Sequence, residues 1–462
     1  MKIGIILTGA DGYKTTFVSI GQGLRDLGCE VVYFAEGREV NIIEPSSIDE
    51  EILYAEDLSV SDEEISDYVK TITNFSFGDI NFSDIDRDIS FKRRVKLFDE
   101  VLKANSQQYK LFHQYINCHK IDYILYEPIS NSLSFNAFIA SLYNNAKYIS
   151  VRPSFISNRI EIGTYCEHNW RFVEPIKNTT SERYTLKDLE HLKKEFLKPP
   201  SYMKVNKTGL GLYKRLFTAA NLKKLIRLLL HRIRYKRTKS SYLYGSIENM
   251  KLSMLRSNFR HAKNRMLIRY LKVYQNPPDQ FFFYAMHFHP ESSTSVNAKF
   301  FNDEYNNILA ISNSLPFGKY LVVKEHPTGA GAYGIDFYRN IQYLPNVIFV
   351  ATSHDSIDLI TKSIGVITIN GTVGMQALLL NKPVFHFAKS YYSSHKSAIL
   401  IEHLDQLNNA LCKKYDVSEI ETLKLINRLN RNSFEGEMPI NRPAEKNCIH
   451  SIYKSLELLS QV

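Results

Sequence analysis

Two runs decide how this chain is read: Tyr320-Leu-Val-Val-Lys-Glu-His-Pro327 and Gly365-Val-Ile-Thr-Ile-Asn-Gly-Thr-Val-Gly-Met-Gln-Ala-Leu-Leu-Leu-Asn-Lys-Pro-Val-Phe-His-Phe387. Each begins as a short aliphatic stretch of the kind that forms a strand buried on both faces, and each ends in polar residues or glycine. Parallel strands present ligand sites at their carboxyl ends, so both runs predict a strand followed by a binding loop. In the second, Gly371-Thr-Val-Gly374 opens a helix-forming run. The unpaired N–H groups and positive dipole end of an exposed helix start favour a phosphate.

Working outward, the same alternation recurs. Gln280 to Met286 reads as a buried strand, and strands at 320–324, Val347 to Val350, 365–369 and Pro383 to Phe387 alternate with helices near Phe301 to Ser314, Ser356 to Lys362 and 373–380. At the other end of the chain, strand 2–7, a turn at Gly9-Ala-Asp-Gly12, a helix from Thr16 to Leu27 and strand Glu30 to Phe34 form a right-handed βαβ unit. The turn lacks the G-x-G-x-x-G pattern, so a dinucleotide site is disfavoured. A helical stretch from Phe91 to His119 follows, then strand Asp122 to Tyr126 ending at Glu127-Pro128, a helix from Ser132 to Asn144 and a strand from Lys147 to Arg152. The expected class is α/β, with two Rossmann-like domains, parallel sheets and helices on both faces.

A chain of 462 residues exceeds one ordinary core. The expected domains are 1–176, a helical basic insertion at 177–275, 276–416, and C-terminal helices at 417–462 packing back on the first domain. Fifty-seven aromatic residues exclude a largely disordered chain. Five scattered cysteines without a C-x-x-C pair argue for reduced thiols rather than a disulfide frame or zinc site. The opening apolar run is too short for a signal peptide, and no run is long enough for a transmembrane helix.

The net charge of +10 is local: residues 204–239 hold twelve Lys or Arg and no Asp or Glu, and the remainder has 46 basic against 48 acidic residues. Within it, Leu216, Leu222, Leu225, Ile226, Leu229 and Ile233 fall near one helical stripe. Two readings stand: a helix lying on an anionic membrane surface, or a solvated interdomain helix. Nucleic acid is disfavoured, because aromatic residues are not interleaved with the cations.

Three stretches carry a resemblance: Tyr284-Ala-Met-His-Phe-His-Pro-Glu-Ser-Ser-Thr-Ser-Val296, Val323-Lys-Glu-His-Pro327, and Ile369-Asn-Gly-Thr-Val-Gly374 with Lys382-Pro383-Val384. In order and spacing, the segment 280–390 resembles the bacterial capsule polysaccharide biosynthesis family, which includes β-Kdo transferases of the GT-B architecture. Two departures occur, Gln376 where the family commonly has glutamate and Asn381 where it has glycine. The resemblance implies two domains facing an interdomain cleft and a glycosyltransferase that moves Kdo or a related nonulosonic acid from a CMP-sugar to a lipid-linked or growing glycan. Alternatives are a UDP-sugar or CDP-polyol donor, or a catalytically silent assembly factor.

Such a donor needs dipoles for its single phosphate, a cation or N–H group for its carboxylate, and help for the departing CMP. Asn370, Gly371, Thr372, Val373 and Gly374 are candidates for the phosphate, with Gln376 reaching a ribose hydroxyl. His326, with Pro327, matches the family's His-Pro motif associated with CMP recognition and is a candidate for easing its departure. Lys324 alternates with Glu325, so one of the two is expected to face the cleft. His287 and His289 alternate with Phe288 and point the same way; with Ser293 and Thr294 they are further donor-binding candidates, and no third ligand suggests zinc. The transfer step calls for a carboxylate, with Glu291 first, then Glu127 and Asp11. An N-cap at Glu291 and a turn at Asp11 are the competing roles. No cofactor or metal is expected, since the donor carries one phosphate. The expected location is cytoplasmic, at the inner membrane through residues 204–239.

Overall fold

The computed structural model describes residues 1–10, 12–38, 40–41, 44–90, 97–178, 183–197, 226, 260–269, 273–327, 329–439 and 442–461. Asp11, the basic run 204–239 apart from Ile226, and the first residues of the Phe91 to His119 stretch lie outside them. Among the described residues the chain divides into two compact units, 1–178 with 429–461 and 183–197 with 260–428.

In the first unit, strands β1 (Lys2–Leu7), β2 (Glu30–Ala35), β3 (Ile52–Tyr54), β4 (Tyr123–Tyr126), β5 (Lys147–Pro153), β6 (Arg159–Thr164), β7 (Glu174–Pro175) and β14 (Phe434–Glu435) form one sheet. The order is β14-β6-β5-β4-β1-β2-β3, with β7 also on β6. β1 to β5 run parallel. β6 is antiparallel to β5, β7 and β14. The sheet is therefore mixed where a parallel one was expected. The cause is local: the short loop 154–158 cannot make a crossover, and it closes a hairpin with Asn158 at φ 57° and a 2.9 Å hydrogen bond from Ser154 N to Arg159 O.

Helix Ser132–Tyr143 is buried from Ser132 to Ser141, being covered by β4 and β5 on one side and helix Phe98–His119 on another. Its sequence is accordingly apolar or small all round. Residues 429–461 complete this unit, whereas 417–428, expected here as well, belong to the second. Arg159 Nη2 donates to Ser433 O at 2.6 Å. Helix Lys446–Ser460 packs on helix Tyr13–Asp26, where Gly23 admits Ile449; a Cβ on Gly23 would lie 2.6 Å from the Ile449 Cδ1 atom.

The second unit carries a six-stranded parallel sheet in the order β10-β9-β8-β11-β12-β13. Its strands are β8 (Phe281–Ala285), β9 (Tyr320–Lys324), β10 (Val347–Val350), β11 (Gly365–Thr368), β12 (Val384–His386) and β13 (Ala398–Leu400). Phe282, Tyr284, Leu321, Val323, Ile367 and Phe385 are among its core residues. β8 is central; the chain proceeds from it outward to β9 and β10, then returns to add β11, β12 and β13 on the other side. The crevice at the carboxyl ends of β8 and β11 is thus a topological switch point, where open α/β sheets bind ligands.

Candidate functional site

All strands of the second sheet point the same way, so the loops after β8, β9, β11 and β12 share one edge. After β8, the His287 side chain meets the turn after β11. Its Nε2 makes long contacts of 3.5 Å with Asn370 N and 3.5 Å with Thr368 Oγ1. Gly371 allows this approach: a Cβ there would stand 3.1 Å from His287 Nε2. Gly371 N donates to Thr368 Oγ1 at 3.1 Å, and Tyr392 OH donates to Gly371 O at 3.0 Å. Tyr392 is fully buried against Gly374, where a Cβ would fall 2.5 Å from its Cζ. Imidazole on one side and phenol on the other thus fix the 369–374 turn. Thr372 is exposed at the start of helix Val373–Leu379; Val373 is buried and Gln376 half-buried.

A buried carboxylate organises the loop after β8. Glu304, the first residue of helix Glu304–Ser314, accepts from His287 N at 2.8 Å and from Tyr284 OH at 2.6 Å. Its Oε1 also lies 3.3 Å from His289 Nε2. A carboxylate accepts, so the His289 Nε2 facing it carries a proton, and Nδ1 lies 3.4 Å from the Thr294 hydroxyl oxygen. Burial pushes the His287 pKa down to about 4, against the attraction of Glu304. His287 is therefore a neutral imidazole at pH 7. Among the described residues no group of three or more His, Cys, Asp or Glu is placed to hold a metal ion.

Glu291 occupies the N-cap of the turn Ser292–Ser295 through its backbone: its carbonyl accepts from Thr294 N at 3.2 Å, Ser295 N at 3.0 Å and Thr294 Oγ1 at 3.0 Å. The side chain makes no capping bond and is exposed. Ser293 sits in the same turn.

At the end of β9, Lys324 and Glu325 both turn inward, at 6% and 1% exposure. One of them was expected to face the cleft; both are buried and bonded within the second unit. Lys324 Nζ donates to His354 O at 2.6 Å and Ser356 Oγ at 2.7 Å, and burial lowers its pKa to about 8. Glu325 accepts from Gly331 N at 3.0 Å and Tyr338 OH at 2.7 Å, and burial raises its pKa to about 7. It ties down the loop that carries His326 and Pro327, and Asn264 and Arg265 of helix 260–269 bind the same loop through the carbonyls of Gly331 and Ala330. His326 is half-buried with its ring 5.9 Å from that of Phe288; burial, then the charge on Lys324, lowers its pKa.

In the first unit, Glu127 follows β4 at the corresponding switch point, beside β1. It lines a cavity of about 120 Å³ with Tyr13, Thr16, Arg152, Met438 and Pro439. Ser130 Oγ donates to its carboxylate at 2.7 Å, and burial raises its pKa. The neighbouring βα turn is filled by the chain itself. Glu44 accepts from the backbone N–H groups of Gly12 and, at 2.9 Å, Thr15, and from Thr15 Oγ1 at 3.2 Å. Asp11, in the same turn, is outside the described residues.

The structure thus brings His287, His289, Thr294, Glu291, His326, Asn370 and Gly371 to loops at one edge of the second sheet, while Glu127 belongs to the first unit. Sequence reading missed Glu304 and Tyr392. Glu304 reads as an ordinary acidic residue in the first turn of a helix, and nothing local marks its burial. Gly374 was the available signal for Tyr392, because a second glycine within four residues calls for a close neighbour.

Among solved structures, the chain is similar to Thermosulfurimonas dismutans KpsC, beta Kdo 2,7 transferase, at 10% identity and TM-score 0.33, covering 76% of this chain and 89% of that one. The beta Kdo 2,4 transferase of the same protein gives 11% identity and TM-score 0.31, covering 74% and 93%. UDP-GlcNAc 2-epimerase from Neisseria meningitidis, bound to UDP-GlcNAc, gives 12% and 0.28, covering 99% and 100%. No curated protein matches the sequence. Residues 205–395, which include the loops after β8, β9 and β11, match the family model described as capsule polysaccharide biosynthesis protein.

Proposed function

We propose that the protein is a capsule glycosyltransferase that moves Kdo or a related ulosonic acid from a CMP-sugar to a lipid-linked or growing glycan. One observation carries the reading: the three sequence stretches that resemble the capsule family emerge at one edge of a parallel sheet, two of them meeting at its switch point where His287 contacts the Asn370–Gly371 turn. In this reading the turn's amides and the Thr372 hydroxyl take the donor phosphate. His326, uncharged at neutral pH, serves as a hydrogen-bond partner for the leaving phosphate; a phosphate leaving group of low basicity needs no full proton transfer. The bond from phosphate oxygen to the anomeric carbon breaks, CMP departs, and an acceptor hydroxyl supplies the new bond. Glu291, exposed at this edge, is the first candidate to assist that hydroxyl or the anomeric carbon; Glu127 is the first unit's candidate. No step of this transfer uses a metal.

Residues 204–239 are proposed to hold the enzyme at an anionic membrane surface, near a lipid-anchored acceptor. No helix among the described residues is long and apolar enough to cross a membrane.

The test is CMP release from CMP-Kdo and related CMP-sugars with a short glycan acceptor. Turnover is expected with a CMP donor and to fall about 100-fold in His326→Ala while the variant stays folded. Turnover with UDP- or CDP-linked donors alone would overturn the donor assignment. Absence of turnover with every donor, together with an intact cellular role for the His326→Ala and Glu291→Ala variants, would favour a silent assembly factor.

A further inference from the structure

A donor with two anionic groups calls for a cation at the carboxyl edge of the second sheet, and four described cations near the motifs are engaged elsewhere. Lys324 is held by His354 O and Ser356 Oγ. Arg265 donates to Ala330 O at 2.7 Å and Arg428 to Tyr391 O at 2.8 Å. Lys382 lies at the amino end of β12 and donates to Ser363 O at 2.8 Å. Burial disfavours the charged form of His287 and His326.

Lys389 stands apart from these. It follows β12 in a segment fastened along the phosphate-facing turn. Phe387 N donates to Thr368 O at 3.2 Å and Ile369 O at 3.0 Å, and Ala388 N donates to Ile369 O at 3.0 Å. On the other side of Lys389, Ser390 Oγ reaches Asn370 O at 3.5 Å, and Ser390 N donates to Ser393 Oγ at 2.8 Å. The backbone flanking Lys389 is thus set against residues 368–370. The residue itself is exposed, and among the described residues no carboxylate pairs with it. A flexible stem bearing a hydrated ammonium suits recognition of a phosphate or carboxylate as a point charge.

We propose that Lys389 is a specificity-determining residue that meets an anionic oxygen group of the donor, phosphate or sugar carboxylate, beside the Asn370–Gly371 turn. The inference rests on the donor reading above and adds a positive charge to that site, where the cations named above are engaged.

The experiment titrates the full-length protein and its Lys389→Gln, Lys389→Arg and Lys389→Glu variants with CMP and with UDP, and measures KM for CMP-Kdo. Loss of one charge-assisted hydrogen bond predicts about a tenfold weaker interaction for Gln, more for Glu, and a return to within about threefold for Arg. The thermal midpoint should be unchanged, since the residue is exposed. Weaker binding of CMP itself assigns Lys389 to the phosphate. An unchanged CMP affinity with a raised KM for CMP-Kdo assigns it to the sugar carboxylate. Equal CMP binding and equal KM in wild type and Lys389→Gln overturn the proposal. If wild type binds UDP and not CMP, the donor reading fails separately, and weaker UDP binding by Lys389→Gln still supports the cation. Binding of neither nucleotide by wild type overturns both.

Discussion

Glu325 shows how a residue inside a candidate binding motif can serve the motif's shape. Its carboxyl group is buried, holds Gly331 and Tyr338, and has a pKa raised to about 7. The folded state therefore binds this proton more tightly than the unfolded chain between about pH 4.5 and 7, so this group's contribution to stability falls as pH rises through that window. Glu325→Gln imitates the protonated form. It is expected to match wild type near pH 5 and to be more stable by on the order of 2–3 kcal/mol at pH 8, as read by thermal unfolding at the two pH values. An equal difference at both would refute the burial argument. Residue identity made this position legible only as one of an alternating pair. Its inward direction depends on the loop that covers the far face of the sheet, and strand periodicity carries no information about that loop.

Five of the six strands of the second sheet were legible, because continuous aliphatic runs such as Leu321-Val322-Val323 and Val366-Ile367 have few other stable settings than a strand buried on both faces; β13, three residues long, was missed. The first sheet was harder. β7 and β14 are two residues long, too brief to show a period, and β6 becomes a strand through the hairpin at Asn158. Close packing between elements was legible only as glycine. Gly374→Ala tests this: its Cβ would fall 2.5 Å from the Tyr392 ring, so either helix Val373–Leu379 or the loop bearing Tyr392 must move. A destabilisation of about 1–3 kcal/mol is expected in chemical denaturation, with weaker CMP binding because the Tyr392 to Gly371 bond is disturbed. Unchanged stability would mean that Tyr392 swings away at little cost.

At the scale of the molecule, the chain's last described residues, 429–461, belong to the same unit as residues 1–178. A chain ending at Arg428 would strip β14 from β6 and remove buried Cys448, Ile452 and Leu456. Calorimetry of that truncation is expected to show loss of the first unit's unfolding transition with the second retained; an intact two-unit trace would contradict it. The twelve cations of 204–239 lie outside the described residues, and flotation with anionic vesicles tests their proposed role. Recovery with the vesicles should disappear when those cations are neutralised and in about 0.5 M salt; persistence under both would refute an electrostatic anchor. The two sheets also differ in a way that affects how many ligands one chain can take. Glu44 sits where an anion would enter the first βα turn, a tenant supplied by the protein itself. A nucleotide or a phosphate-bearing inhibitor should therefore saturate at one equivalent per chain, and its competitors will be found at the second sheet.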